Sequence, residues 1–366
     1  MSSESAHRVA VSLLILALPV AAQDTASQIK VEIQRLQQSL KDRPFSDPDL
    51  PDINSMAGGE LKAANDALNA GRLYLSLEKL AGAEDLLQGA RVVADKKAET
   101  VKGGLPAYEE EWKKVSTSLS AQAQEVVTRD WRSAPAAQRA LSETAQGKAV
   151  PLLEGGRGFA TSMQPKDGLF YIGEAQGEAA FARFCGSLRL PREGSPSLRL
   201  SLLRELQALQ KKTNAAFVPP RSIDLHSRFI ALNSTLKLAQ ELDAAMSYSG
   251  ALYQYLEAVR HWGMLDVTAP DAAEQSKLKE AVAAMGKKID ASASDDSIAR
   301  LFIERAASQV AHADGSAPSA DEWRSARVIL DQVLPAYFDT QKKTVARISL
   351  TSGKTVEITL VRWPYT

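Results

Sequence analysis

The sequence predicts an all-α protein, a stack of helical hairpins resembling an α-solenoid or an irregular helical array, with a small β-hairpin at its C-terminus. Apolar residues recur at steps of three and four almost throughout, which is the period of a half-buried helix. Clusters of glycine and proline fall between those stripes, where helices have to stop. Only the last twenty or so residues change to strict alternation, the period of a strand. Composition agrees: 366 residues, 45% hydrophobic and 24% charged, exclude disordered and collagen-like classes. The 44 basic side chains balance the 44 acidic ones, so no long-range field draws the chain to nucleic acid or to an anionic membrane.

The chain divides into a signal peptide (1–22), an N-terminal helical region (23–150), a linker loop (151–167), a C-terminal helical region (168–340) and a β-hairpin tail (341–366). In the first segment Arg8 precedes an apolar run from Val9 to Ala22. That run is too short to cross a bilayer comfortably and suits the h-region of an export signal. Val20-Ala21-Ala22 offers small residues at the cleavage point, and Gln23-Asp24 opens a polar mature chain. Cleavage there leaves a periplasmic or secreted protein with no further membrane span. Cys185 is the only cysteine, so no internal disulfide is expected. Its apolar neighbours Phe181 and Phe184 read as a helix face with a buried, inert thiol.

Each helix then has its own stripe. Ile29, Ile33, Leu36 and Leu40 form the first, a possible short coiled-coil seam of under two heptads. Leu105, Tyr108, Trp112, Val115, Leu119 and Val126 form another. The longest runs through Leu225, Phe229, Leu232, Leu236, Ala239, Leu242 and Met246. Leu278, Val282, Met285 and Ile289 follow, then Trp323, Ala326, Leu330, Val333 and Tyr337. Ser319 and Glu322 have the spacing of a capping box ahead of Trp323. Thr268 before Pro270 and Ser195 before Pro196 suggest first-turn prolines. Gly103-Gly104-Leu105-Pro106, Val218-Pro219-Pro220 and Asp314 to Pro318 read as breaks. Pro44 to Asn54 reads as an extended acidic loop, and Val150 to Asp167, with Gly155-Gly156-Arg157-Gly158, as the boundary between halves. At the C-terminus, a three-residue turn around Ser352-Gly353 puts Ala346, Ile348 and Leu350 on the same face as Val356, Ile358 and Leu360.

Gly71-Arg72-Leu73-Tyr74, Gly168-Leu169-Phe170-Tyr171 and Gly250-Ala251-Leu252-Tyr253 share one form, without a fixed period. The segment Ala63 to Ala90 resembles a tetratricopeptide helical pair, with Gly71 at the turn and Ala81, Ala83 and Ala90 as the small residues of the helix contact. That resemblance covers fewer than about thirty residues and implies packed helical hairpins.

Chemistry is hard to find. His226, His261 and His312 stand far apart, and the reading is that no second histidine, cysteine or carboxylate lies at metal-pair spacing beside any of them. Ser76-Leu77-Glu78-Lys79 and Ser234-Thr235-Leu236-Lys237 match Ser-x-x-Lys without the partner motifs of serine acyl enzymes. Asp47, Asp49 and Asp52 lack the glycine and distal glutamate of a calcium loop. The lysine doublets are dispersed, with 211–212 and 287–288 near predicted helix ends. No metal, cofactor or nucleic acid is expected, and a binding protein is favoured over an enzyme. The surviving candidate is an aromatic helical hairpin. Tyr253, Tyr255, Arg260, His261 and Trp262, with Tyr248, could line a groove for a protein or peptide partner from the envelope, or alternatively a small-ligand or catalytic site.

Overall fold

The computed structural model describes residues 24–48, 50–195, 200–219 and 223–341, and the backbone alone of 344–349 and 355–360. The predicted signal peptide, Asp49, Pro196, Lys342-Lys343 and the turn around Ser352-Gly353 lie outside the described residues. The helical part is an irregular array in two compact units, one ending at Glu193 and the other beginning at Gly194. No described helix is long and apolar enough to cross a membrane.

In the first unit, helix α1 spans 24–42 and buries Ile29, Ile33 and Leu36 completely or nearly so. Its stripe is therefore used inside the unit, and the coiled-coil alternative is overturned. Arg35 ties α1 to Glu84 at 3.1 Å. The proline-rich loop follows, and Asp52 caps α2 (Ile53–Asn69) by accepting from Ser55 N. Asp47 of that loop holds Lys97 at 2.6 Å, which uses one of the acidic groups structurally. Gly71, at φ +74°, turns the chain into α3 (Leu73–Thr128), and α2 packs on α3 as a helical hairpin. At the expected break, Gly104 adopts φ +64° and ψ −151°, a conformation costly for any residue with a Cβ, and bends α3 into two arms.

The largest departure concerns 151–167. Instead of a linker loop, α4 (Ala136–Ser162) runs straight through Pro151 and the glycine cluster. Burial of Ala149, Leu153 and Ala160 outweighs the weak helix propensity of those glycines. Gly156 serves close packing, since a Cβ there would stand 2.7 Å from Tyr171 Cβ. A 3-10 turn (Pro165–Gly168) leads into α5 (Leu169–Ser187), which packs on α3 and α4. Cys185 on α5 is fully buried, and burial pushes its thiol up to about 12, as an inert cysteine requires.

The second unit contains α6 (Leu203–Ala216), α7 (His226–Ala244), α8 (Tyr248–Gly263), α9 (Ala272–Asp290), α10 (Ser297–Val310), α11 (Ala320–Val328) and α12 (Leu334–Thr340). Breaks at 217–219 and 311–319 fall where glycine and proline placed them. Ser319 caps α11 and exchanges hydrogen bonds with Glu322, the expected capping box. Helix α9 starts later than the Thr268 signal suggests. Asp271 is its N-cap, in a capping box with Glu274, so Pro270 precedes the helix. Of the two lysine doublets expected at helix ends, only Lys287-Lys288 occupies a last turn.

Two stripes shift in register. Met246 takes a left-handed C′ position (φ +59°), with Ser247 N bonded to Leu242 O, and so ends α7 pointing outward instead of extending its seam. A π-turn at Ile329–Val333 inserts between α11 and α12. Pro335 has no N–H to return to Asp331, which favours that widened turn. Ile329 is consequently buried, and Leu330 lies only partly inside. Beyond Gln341, the backbones of Thr344–Ser349 and Thr355–Leu360 pair antiparallel, with Ala346 opposite Ile358 and Ile348 opposite Val356.

Candidate functional site

Helix α8 carries all six candidate residues, and its 3.6-residue period sorts most of them into two groups. Tyr253, Arg260 and His261 lie on one side, together with Glu257. Tyr255 and Trp262 lie on the opposite side, together with Val259. The six residues therefore do not converge on one point. Tyr248, at the first position of the helix, is half-buried and belongs to neither constellation.

On the first side, two guanidinium groups enclose one buried carboxylate. Arg260 Nε donates to Glu257 Oε2 at 2.9 Å, and Arg305 Nη1 of α10 donates to Glu257 Oε1. Arg305 Nη2 also donates to the Tyr253 hydroxyl at 3.3 Å, and its guanidinium lies 5.2 Å from the Phe302 ring centre. Burial by itself would raise the Glu257 carboxyl, but Arg305 and Arg260 outweigh it and hold the group well below the usual carboxylate range. His261 is driven the other way, down to about 4, chiefly by burial and then by Arg260 beside it. At neutral pH this side presents an ionised carboxylate saturated by arginine and a neutral imidazole. Neither is poised to exchange a proton near pH 7. The arrangement fixes α8 to α10. Glu257, the centre of it, was not singled out from the sequence, although it stands one helical turn before His261.

On the second side, Tyr255, Val259 and Trp262 face α6 across a groove of about 480 Å³, lined also by Arg204, Glu205, Leu209 and Lys212. Trp262 and Gln332 are shared with an adjoining cavity of about 620 Å³, whose walls include Val218, Phe229, Leu265 and Asp266. Gln332 reaches this place because the π-turn redirects it. Gly263 lets the two segments meet, since a Cβ there would lie 2.5 Å from Val328 Cγ1. The groove is an apolar and aromatic floor with a charged rim of both signs. Sequence reasoning found its aromatic residues but not Gln332 or the α6 wall, because periodicity on one helix does not reveal which helix lies opposite.

The remaining histidines are structural in placement. His312 Nε2 and Nδ1 sit 2.8 Å from Glu322 Oε1 and Ser316 Oγ, and His226 is exposed beside the Phe217 ring. Among the described residues, no three His, Cys, Asp or Glu side chains come together to hold a metal ion. Compared with models of protein families, with curated proteins and with solved structures, the chain matches none.

Proposed function

We propose that this chain is an exported helical scaffold that binds a peptide segment of an envelope protein in the groove between α6 and α8. The observation that carries this reading is the half-buried pair Tyr255 and Trp262, which floor a concave strip. Aromatic side chains in a concave, partly desolvated strip are the usual anchors of a peptide interface. The charged rim, with Arg204, Glu205 and Lys212, supplies polar contacts that orient a segment laid along it. Export follows from the N-terminal apolar run and the small residues ending at Ala22. The finer architecture, a tetratricopeptide-like succession of helical hairpins closed by a C-terminal β-hairpin, is part of the same proposal.

The test is retention of envelope proteins by the immobilised mature chain, comparing wild type with Trp262→Ala and Tyr255→Ala. A specific partner should be retained by the wild type and lost from both variants, with affinity weakened about tenfold or more. Equal recovery by all three proteins would remove the groove from consideration. N-terminal sequencing of the exported chain should begin at Gln23.

The adjoining cavity favours a second reading. Its volume of about 620 Å³ falls in the range of small-ligand sites. A ligand-induced thermal shift that Phe229→Ala abolishes and Tyr255→Ala leaves intact would select this alternative.

A further inference from the structure

Helix α5 contains Gly173-Glu174-Ala175-Gln176-Gly177-Glu178, in which two glycines four apart are each followed by a glutamate. The glycines make a backbone-to-backbone crossing with α3. A Cβ at Gly173 would stand 2.3 Å from Gln88 O, and one at Gly177 would stand 2.8 Å from Asp85 Cα. That crossing carries Glu174 and Glu178 against the acidic face of α3.

Glu178 is 1% exposed and pairs with Lys148 of α4, whose Nζ lies 2.9 Å from Oε1. Asp85 of α3 lies within hydrogen-bonding reach of Glu178. Yet neither buried oxygen, Asp85 Oδ1 or Glu178 Oε2, meets a donor from the protein. The charged groups facing this point are Glu78 and Asp85 on α3, Lys148 on α4, and Glu174 and Glu178 on α5. Glu84 beside them is engaged by Arg35 of α1, and Glu143 on α4 by Arg139. Asp85, Glu174 and Glu178 thus confront the single ammonium of Lys148. Two neighbouring carboxyl groups that each bury an oxygen without a donor cannot both be ionised without severe cost. A proton held between the two carboxyl groups would remove that cost.

We propose that Asp85 and Glu178 share one buried proton, and that this proton locks α5 onto α3, so that the first unit loosens as pH rises. Burial, and then the charge of Glu178, push the Asp85 carboxyl well above its ordinary range, with Lys148 pulling only partly the other way. Burial likewise pushes Glu174 up to about 7. The sign follows from linkage. A carboxyl raised in the folded state contributes its full stability below the unfolded value and loses it as pH rises through the folded value. For Glu174 that window runs from its ordinary value of 4.5 to about 7, and for Asp85 it starts at 3.8 and extends upward. When pH exceeds the window, the proton leaves to water and two adjacent anions remain at the crossing.

The test is amide hydrogen exchange on the full mature chain from pH 5.5 to 8.5, corrected for intrinsic exchange. Protection of α3 and α5 should fall by up to about tenfold per pH unit for each proton released. In Asp85→Asn, whose amide can donate to Glu178 as the proton did, the slope should drop while protection at pH 8 is retained or increased. Glu174→Gln should remove its own share of the slope. A flat wild-type profile, or an Asp85→Asn profile as steep as wild type, would overturn the proposal. Should the variants fail to fold, infrared spectroscopy of the wild-type chain decides. A protonated-carboxyl stretching band should persist at neutral pH, and its absence sinks the idea.

Discussion

The two units each bury a small cluster of charge, and the clusters are opposites. Around Glu257 two guanidinium groups serve one carboxylate, which stays ionised far into acid. Around Glu178 a single ammonium serves several carboxyl groups, and burial beside Glu178 pushes the Asp85 carboxyl well above its ordinary range. Burial pushes all these carboxyls in the same direction. What differs is the ratio of cations to anions within hydrogen-bonding reach, and that ratio decides whether the protein or the solvent supplies the neutralising charge. The units should therefore respond to pH in opposite senses. The first weakens as pH rises through the range set by Glu174 and Asp85. The second weakens as pH falls, because His261 must be protonated between its unfolded value of 6.5 and its folded value of about 4.

The strongest way to break this comparison is Glu257→Ala, which leaves Arg305 buried without its carboxylate. It should destabilise the second unit by about 3–5 kcal/mol, measured by urea unfolding, with little change in protection of α3 and α5. A loss below about 1 kcal/mol would mean that solvent already serves the arginines. Gly177→Ala comes next. Its Cβ falls within 2.8 Å of α3 backbone that cannot move aside as a flexible side chain would, so a cost of roughly 1–3 kcal/mol is expected. Lys148→Met should cost less, about 1 kcal/mol, since the lysine side chain is 41% exposed and partly screened. It should also steepen the pH dependence of the first unit, because nothing would then oppose carboxylate repulsion. The smallest effect sharpens the contrast without touching stability at neutral pH. The His261 ring resonances should stay constant from pH 8 to 6 and move only near pH 4, whereas an exposed histidine moves near 6.5.

The fold was largely legible in sequence where one local signal had one meaning. The Ser319–Glu322 box, the Asp314–Pro318 break and the Gly104 bend depend on a few neighbouring residues and came out in place. Local signals failed where packing outvoted them. Gly155-Gly156-Arg157-Gly158 has the composition of a loop, but the contacts of Gly156 with Tyr171 and Gly168 make it part of a helix crossing. The candidate site was half legible. The aromatic content of α8 could be read directly, but Tyr253 and Tyr255 were placed in one groove, whereas they lie on opposite sides of the helix. Glu257 and Arg305 could not be joined, because 48 residues separate them in the chain.

By itself, the order of residues determined the helical class, several of the stops and caps, and much of the buried stripe on those helices where a period could be read. Those depend on spacing along a single element, and a period of three to four residues is a local property. Only the tertiary structure decided which faces oppose each other: α5 on α3 through two glycines, α8 on α10 through Glu257, and α8 beside α6 across a groove. Ionisation belongs to that second category. Whether a buried carboxyl keeps or releases its proton depends on the charges brought within a few ångströms, and these arrive from helices distant in sequence.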